Sequence, residues 1–283
     1  MVVENPGILP PNALGGRSLG ISASESPDLQ RLGLFEDHFR LALGEIARTI
    51  LFAGGQIFYG GHLREDGYTQ YLINELQRYG HRDAPLKVCL SYTEHQRMSS
   101  AEIETQREHI GLFGEIIFLD PNGSPMDFTP PDDPSGFEPT EDEVAGSLTG
   151  LRRFLVSATD ARVVIGGKRS GFLGRFPGII EEVLVSVEAD KPLYLAGGFG
   201  GATLDAIGAL VPENSSWFPR YEAEQDDFEK LAAGLQALKE AAEASKAWMD
   251  NGLSEQENKR LAASYRPSEI AALVGHGLGS LEK

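Results

Sequence analysis

Residues 162–206 read RVVIGGKRSGFLGRFPGIIEEVLVSVEADKPLYLAGGFGGATLDA, two strand–glycine loop–helix units in tandem. Arg162 to Ile165 is a short β-branched run, and Gly166-Gly167 ends it. A loop carrying Lys168, Arg169, Gly171, Gly174 and Arg175 follows, and Pro177-Gly178 opens a helix with Glu181 and Glu182 in its first turn. Lys191-Pro192 restarts the chain, Leu193 to Ala196 is the next strand, and Gly197-Gly198-Phe199-Gly200-Gly201 leads into another helix. Parallel neighbours built this way bring both glycine loops to one edge of the sheet, the edge where open α/β sheets bind ligands. Bare backbone N–H groups at helix starts there suit a phosphate-bearing ligand.

The same unit recurs upstream. Ser18 to Ala23 reads as a first strand, and Ser22 and Ser24 stand at its end, where small hydroxyl residues let a ligand approach the backbone. Leu34 to Leu51 is helical by period, with Phe35, Phe39, Ala42, Ile46 and Ile50 on one face. Gln56 to Tyr59 is a second strand, followed by Gly60-Gly61-His62-Leu63-Arg64 and a helix over Thr69 to Tyr79. Gly60 and Gly61 fit a close backbone approach, Arg64 is a candidate cation, and His62 is either a loop residue or a ligand contact. Lys87–Leu90 and Glu115–Leu119 are further strands, with a helix over Glu102–Ile110 between them. The Pro- and Asp-rich residues 120–140 are expected as a surface loop. Thr140 and Glu143 form a capping-box pattern for a helix reaching about Ala158.

The expected fold is therefore a doubly wound, mainly parallel Rossmann-like α/β sheet. Residues 1–16 read as a Pro/Gly-rich arm, 17–211 as the ligand-binding domain, and 212–283 as a helical C-terminal extension. Within that extension Trp217-Phe218-Pro219 is an aromatic knot, and a long Ala/Glu-rich helix spans Glu222–Asp250. Shorter helices follow near Ser254–Ser264 and Pro267–Gly275. The apolar stripe of the long helix either docks on the domain or seals a homo-oligomer.

Composition narrows the function. A formal charge of −17 argues against general nucleic-acid or membrane-surface binding, which needs clustered cations. The single cysteine, Cys89, falls inside a strand and reads as a small buried residue, consistent with a reducing cytoplasm. No run is long enough for a spanning helix, and the N-terminus lacks a signal-peptide pattern. Neither GxGxxG after the first strand, GxxxxGK[ST], GxSxG nor a histidine spacing suited to a metal occurs, so no metal is expected. Glu181 and Glu182 complement the helix dipole in any case. Functionally, one of them would take a ribose hydroxyl or act at an anomeric carbon, while Arg169 and Arg175 would meet phosphate.

These residues resemble the SLOG superfamily, the Rossmann-like group related to the LOG phosphoribohydrolases and the DprA proteins. The LOG signature PGGxGTxxE is echoed by Ile165-Gly166-Gly167 and then, after an inserted loop, by Pro177-Gly178-Ile179-Ile180-Glu181. Pro177-Gly178 stands where that signature has Gly-Thr. Glu181 matches its glutamate, and Arg152 lies near the spacing of the arginine LOG enzymes carry on the preceding helix. The glutamate helix is also similar to that of nucleoside deoxyribosyltransferases. GISASE, YGGHLREDGYT and LAGGFGGA resemble SLOG variants of bacterial conflict systems. The resemblance implies a cytoplasmic module that binds a nucleotide of NAD or ADP-ribose type as a sensor. Alternatively it implies an N-glycosidase using Glu181, Glu182 and Arg152. In either case Ser22, Ser24, Gly60, Gly61, His62, Arg64, Gly166, Gly167, Lys168, Arg169, Arg175, Gly178, Gly198, Gly200 and Gly201 would line the ligand.

Overall fold

A computed structural model describes residues 9–64, 67–79, 85–131, 134–216 and 228–282 of the chain. Six parallel strands and one short antiparallel strand form a single sheet in the order β5-β4-β3-β2-β1-β6-β7. They are β1 (Ser18–Ser24), β2 (Gln56–Gly60), β3 (Leu86–Leu90), β4 (Gly114–Leu119), β5 (Pro125–Met126), β6 (Ala161–Gly166) and β7 (Leu193–Ala196). The chain runs outward from β1 to β5, then returns to lay β6 and β7 on the other side of β1. The order thus reverses between β1 and β6, and a crevice opens beyond the strand ends at such a reversal.

The helices are α1 (Glu36–Phe52), α2 (Tyr68–Tyr79), α3 (Tyr92–His95), α4 (Ser100–Ile110) and α5 (Glu141–Ala158), then α6 (Gly178–Glu188), α7 (Gly201–Leu210), α8 (Phe228–Ala244), α9 (Glu255–Ala263) and α10 (Pro267–Ser280). Alternation along the strands sorts them into two layers. Leu19, Ile21, Ile57, Val88, Val163 and Ile165 face a core shared with α1, α2, α4 and α10. On the other side, Val164, Leu193 and Leu195 pack under α6, α7 and α8, while Cys89 and Leu119 meet Leu151 and Leu155 of α5. Leu and Ile side chains buried this completely each contribute about 1.5–3 kcal/mol. Thr140 and Glu143 cap α5 reciprocally, as the pattern predicts, a motif whose loss costs about 1 kcal/mol.

The C-terminal helices clasp the sheet. On one face α8 buries Leu231, Gly234 and Leu238 against α6 and α7. On the other, α10 packs along α1. Between them α9 lies along β7, sending Leu261 into one core and Ala262 into the other. Asn251 donates its amide to the Leu193 carbonyl at 2.7 Å, and the Tyr194 hydroxyl donates to the Asn251 carbonyl at 2.8 Å. An edge strand covered this way offers no template for pairing with another chain.

Four expectations change. Phe35 precedes the first residue of α1 and is exposed, whereas Phe39, Ala42, Ile46 and Ile50 are buried as the period requires. The surface loop is partly structured: β5 pairs with β4, and Phe128 packs on His95 and Phe118. Aromatic burial supplies the order that its composition hid. The long C-terminal helix ends at Ala244, and a separate single turn holds Ala247–Met249. Of the arm, Leu14 is fully buried and its N–H bonds the Ala53 carbonyl. The aromatic knot at 217–219 and the first residues of the expected helix lie outside the described residues.

Candidate functional site

At the sheet reversal Ser24 pairs in register with Gly166. The Gly167 N–H donates to the Ser24 carbonyl at 3.0 Å, and the Lys168 N–H reaches the Ser24 hydroxyl at 3.3 Å. Gly166 and Gly167 have φ of +70° and +110°, which only glycine adopts without strain. A methyl group on Gly166 would fall 2.4 Å from the Ser24 carbonyl, and one on Gly167 2.7 Å from Ile179. Both glycines are therefore demanded by their own φ and by the protein's packing at the strand ends. Lys168 beside them is exposed, paired with Glu25 at 3.0 Å.

Helix α6 follows these glycines in the chain. Pro177 precedes it, and no side chain caps its first turn. Beside Gly178 lies Arg152 of α5: a methyl there would sit 3.3 Å from Arg152 Nη2. Arg152 Nη1 bonds Glu181 Oε2 at 2.6 Å, and the Thr149 hydroxyl donates to the other oxygen of the same carboxylate. The fold thus brings Arg152 and Glu181 together from different helices. Glu181 is only 4% exposed, because the loop between β6 and α6 lies over it. In that loop a methyl on Gly174 would stand 2.9 Å from Arg152 Nη1 and 3.0 Å from Glu181 Oε2.

Glu182 and Ser22 take a different direction, into the layer between sheet and helix. Arg162 is completely buried. Its Nη1 donates to Ser22 Oγ and to Glu182 Oε2, each at 2.7 Å, and Ser22 also donates to Glu182. Nη2 reaches the Arg152 carbonyl at 3.5 Å, while Nε has no partner among the described residues. Burial pulls the Arg162 pKa below the usual arginine value, and Glu182 offsets this only in part. Ser22 and Glu182 are therefore members of a buried ion-pair network rather than of the crevice rim. Sequence reasoning treated Arg162 only as a strand residue. The available signal was a charge inside a strand buried on both faces, where one demands a partner.

The second glycine unit is filled from within. The Gly201 N–H at the start of α7 donates to Asp28 Oδ2 at 2.8 Å, and the Ala202 N–H donates to the Gly167 carbonyl at 3.0 Å. Asp28, fully buried, is held by Arg169 at 2.8 Å, and Arg169 also bonds Asp205 at 2.6 Å. Burial alone would raise the Asp28 carboxyl; its bonds from Arg169 and Gly201 outweigh that and hold it below the ordinary value. Asp205 goes the other way, raised by burial that Arg169 only partly offsets. Arg169, Gly200 and Gly201 thus serve an internal carboxylate where a ligand phosphate was expected. Gly198 makes room for the C-terminal chain, since a methyl there would strike the Ser264 carbonyl at 2.0 Å.

The β2 tip is also internally engaged. A methyl on Gly60 would meet Leu155, and one on Gly61 would meet the Tyr59 ring. His62 turns back into its own loop, its Nδ1 accepting the Arg64 N–H at 3.3 Å. Arg175 lies over the Phe176 ring, 4.9 Å from its centroid, and is exposed. Arg64 is exposed and lines an open groove with Arg97. Among the described residues no cluster of His, Cys, Asp and Glu is arranged to hold a metal ion, and no helix is long and apolar enough to cross a membrane.

A parallel sheet whose strand order reverses between β1 and β6, with glycine loops at the strand ends, defines a Rossmann-like α/β protein. The chain belongs to the SLOG cluster2 family, whose profile matches residues 13–261, from the arm through most of α9. No curated protein and no solved structure shows significant similarity to it.

Proposed function

We propose that this SLOG protein binds a nucleotide-derived ligand of NAD or ADP-ribose type at the β1/β6 crevice and acts as a sensor of such signals in bacterial defence or stress. The supporting observation is the pairing of Ser24 with Gly166 beneath the uncapped start of α6, with Arg152 and Lys168 beside it. An uncapped helix start favours an anion through its N–H groups and dipole, and a nearby arginine strengthens such contacts. The burial of Glu181 against Arg152 favours binding over turnover, because a carboxylate so covered must be uncovered before it reaches an anomeric carbon.

The second reading, an N-glycosidase cleaving the base–ribose bond of a nucleotide or NAD, draws on the same Arg152–Glu181 pair at 2.6 Å. One experiment separates the two. Pure protein is incubated with NAD, AMP and ADP-ribose while base release and melting temperature are followed. A stabilised melt without base release supports the sensor. Base release that Glu181→Gln abolishes, with binding retained, replaces it with the enzyme. Neither effect with any of the three defeats both readings.

A further inference from the structure

Beside the carboxyl ends of β2 and β3 lies an open groove of about 510 Å³, within the size range of small-molecule sites. Leu63 and Arg64 line it from the loop after β2, Glu94, Arg97 and Met98 from the chain around α3, and Glu102 from α4. Acidic residues outnumber basic ones by 42 to 25, and Arg31, Arg48, Arg78, Arg152, Arg162 and Arg169 all sit in ion pairs. Among the described residues Arg64 and Arg97 are in none, yet both are exposed and face the same groove. Glu102 is a second anion in the lining. Its carboxylate accepts the Ser99 N–H and hydroxyl at 2.7 Å each, which closes the cap of α4 and lowers its pKa. The lining therefore carries two guanidinium groups, the Glu94 and Glu102 carboxylates and apolar side chains from Leu63 and Met98. Such a lining suits a unit that combines negative charge, hydroxyl or amine donors and a flat apolar body.

The groove is offset from the crevice along the same sheet edge. From the β1/β6 boundary to the β2/β3 boundary is two strand spacings, about 10 Å. We infer that the groove is a second subsite, taking the far nucleoside end of a ligand whose near ribose phosphate sits at the β1/β6 crevice. It selects two ribosyl units joined by a diphosphate over a single ribose phosphate. The inference rests on the proposed crevice reading and adds the ligand's length and orientation to it.

The test compares ADP-ribose with ribose 5-phosphate, which is too short to enter both places, on the full chain by calorimetric titration. Arg64→Gln/Arg97→Gln removes two exposed cations that form no ion pair among the described residues, so folding should be unaffected, and circular dichroism verifies this. Wild type is expected to bind ADP-ribose more tightly than ribose 5-phosphate. The double variant is expected to lose at least about tenfold in ADP-ribose affinity, the scale of one lost charge-assisted contact, while keeping its ribose 5-phosphate affinity. Equal affinities of wild type for the two ligands would overturn the groove assignment and leave the crevice standing. So would a double variant that binds ADP-ribose like wild type, or one that weakens both ligands alike. Failure of wild type to bind either ligand would overturn the crevice reading and the groove with it.

Discussion

The starts of α6 and α7 look alike in sequence and differ in structure. Each follows a buried parallel strand and a pair of glycines. At α7 the backbone N–H groups are spoken for: Asp28 takes that of Gly201 and the Gly167 carbonyl takes that of Ala202. At α6 no side chain caps the first turn, and Arg152 lies beside it. The protein thus satisfies one helix start with its own carboxylate and leaves the neighbouring start without a side-chain cap. Doubled glycines mark close backbone approach in both cases, but they do not say whether protein or ligand comes close.

The largest test of this contrast is Asp28→Ala. Removing Asp28 leaves Arg169 with Asp205 alone and the buried Gly201 N–H without its acceptor, and costs about 3 kcal/mol. Lys168→Ala, at the rim of the uncapped end, should change stability by less than about 0.5 kcal/mol, as exposed substitutions do. Urea denaturation of the two variants reads the difference directly. Similar losses in both would mean the two helix starts are equivalent structural elements.

A second test works on the backbone. Gly201→Ala puts a side chain at φ +68° and 2.5 Å from the Gly167 carbonyl, which should cost about 1–3 kcal/mol. Gly178→Ala meets only the flexible end of Arg152 at 3.3 Å. In a helical position alanine is favoured over glycine by up to about 1 kcal/mol, so this variant should be neutral or more stable. Thermal melts of both check the pair. A destabilised Gly178→Ala would show that the α6 start is packed as tightly as that of α7.

Much of the fold was legible because it rests on local pattern. Strand runs bounded by glycine, the helix period of α1 and the Thr140–Glu143 box each specify an element from neighbouring residues. The glycine turn after β6 was legible for the same reason, since Gly166-Gly167 follows its strand directly. What escaped depends on distant chain. Asp28 reaches Gly201 across 173 positions and Ser22 meets Arg162 across 140, so no spacing rule exposes either. The ordering of residues 125–128 escaped because composition carries no information about Phe128 finding His95.

Acid sharpens the comparison at the smallest scale. Asp28 stays charged well into acid because its pKa is held below the ordinary 3.8, so the α7 site keeps its stabilising pair in mild acid. Its contribution is lost only as pH falls through that lowered value. His95 behaves oppositely. It is buried among Phe118, Phe128 and Tyr92, and its Nε2–H donates to the Leu119 carbonyl at 2.9 Å. Burial lowers its pKa below the usual 6.5, and the Leu119 bond offsets only part of this. The unfolded chain therefore binds a proton at a higher pH than the folded one, and stability must fall as pH drops below about 6.5, by at most about 1.4 kcal/mol per unit. Urea midpoints at pH 7.5 and 5.5 should show this decline in wild type and a shallower one in His95→Gln, with the Asp28→Ala penalty nearly unchanged between the two. If that penalty instead collapsed by pH 5.5, the internal carboxylate would be titrating there, and α7 would be as available to an outside anion as α6.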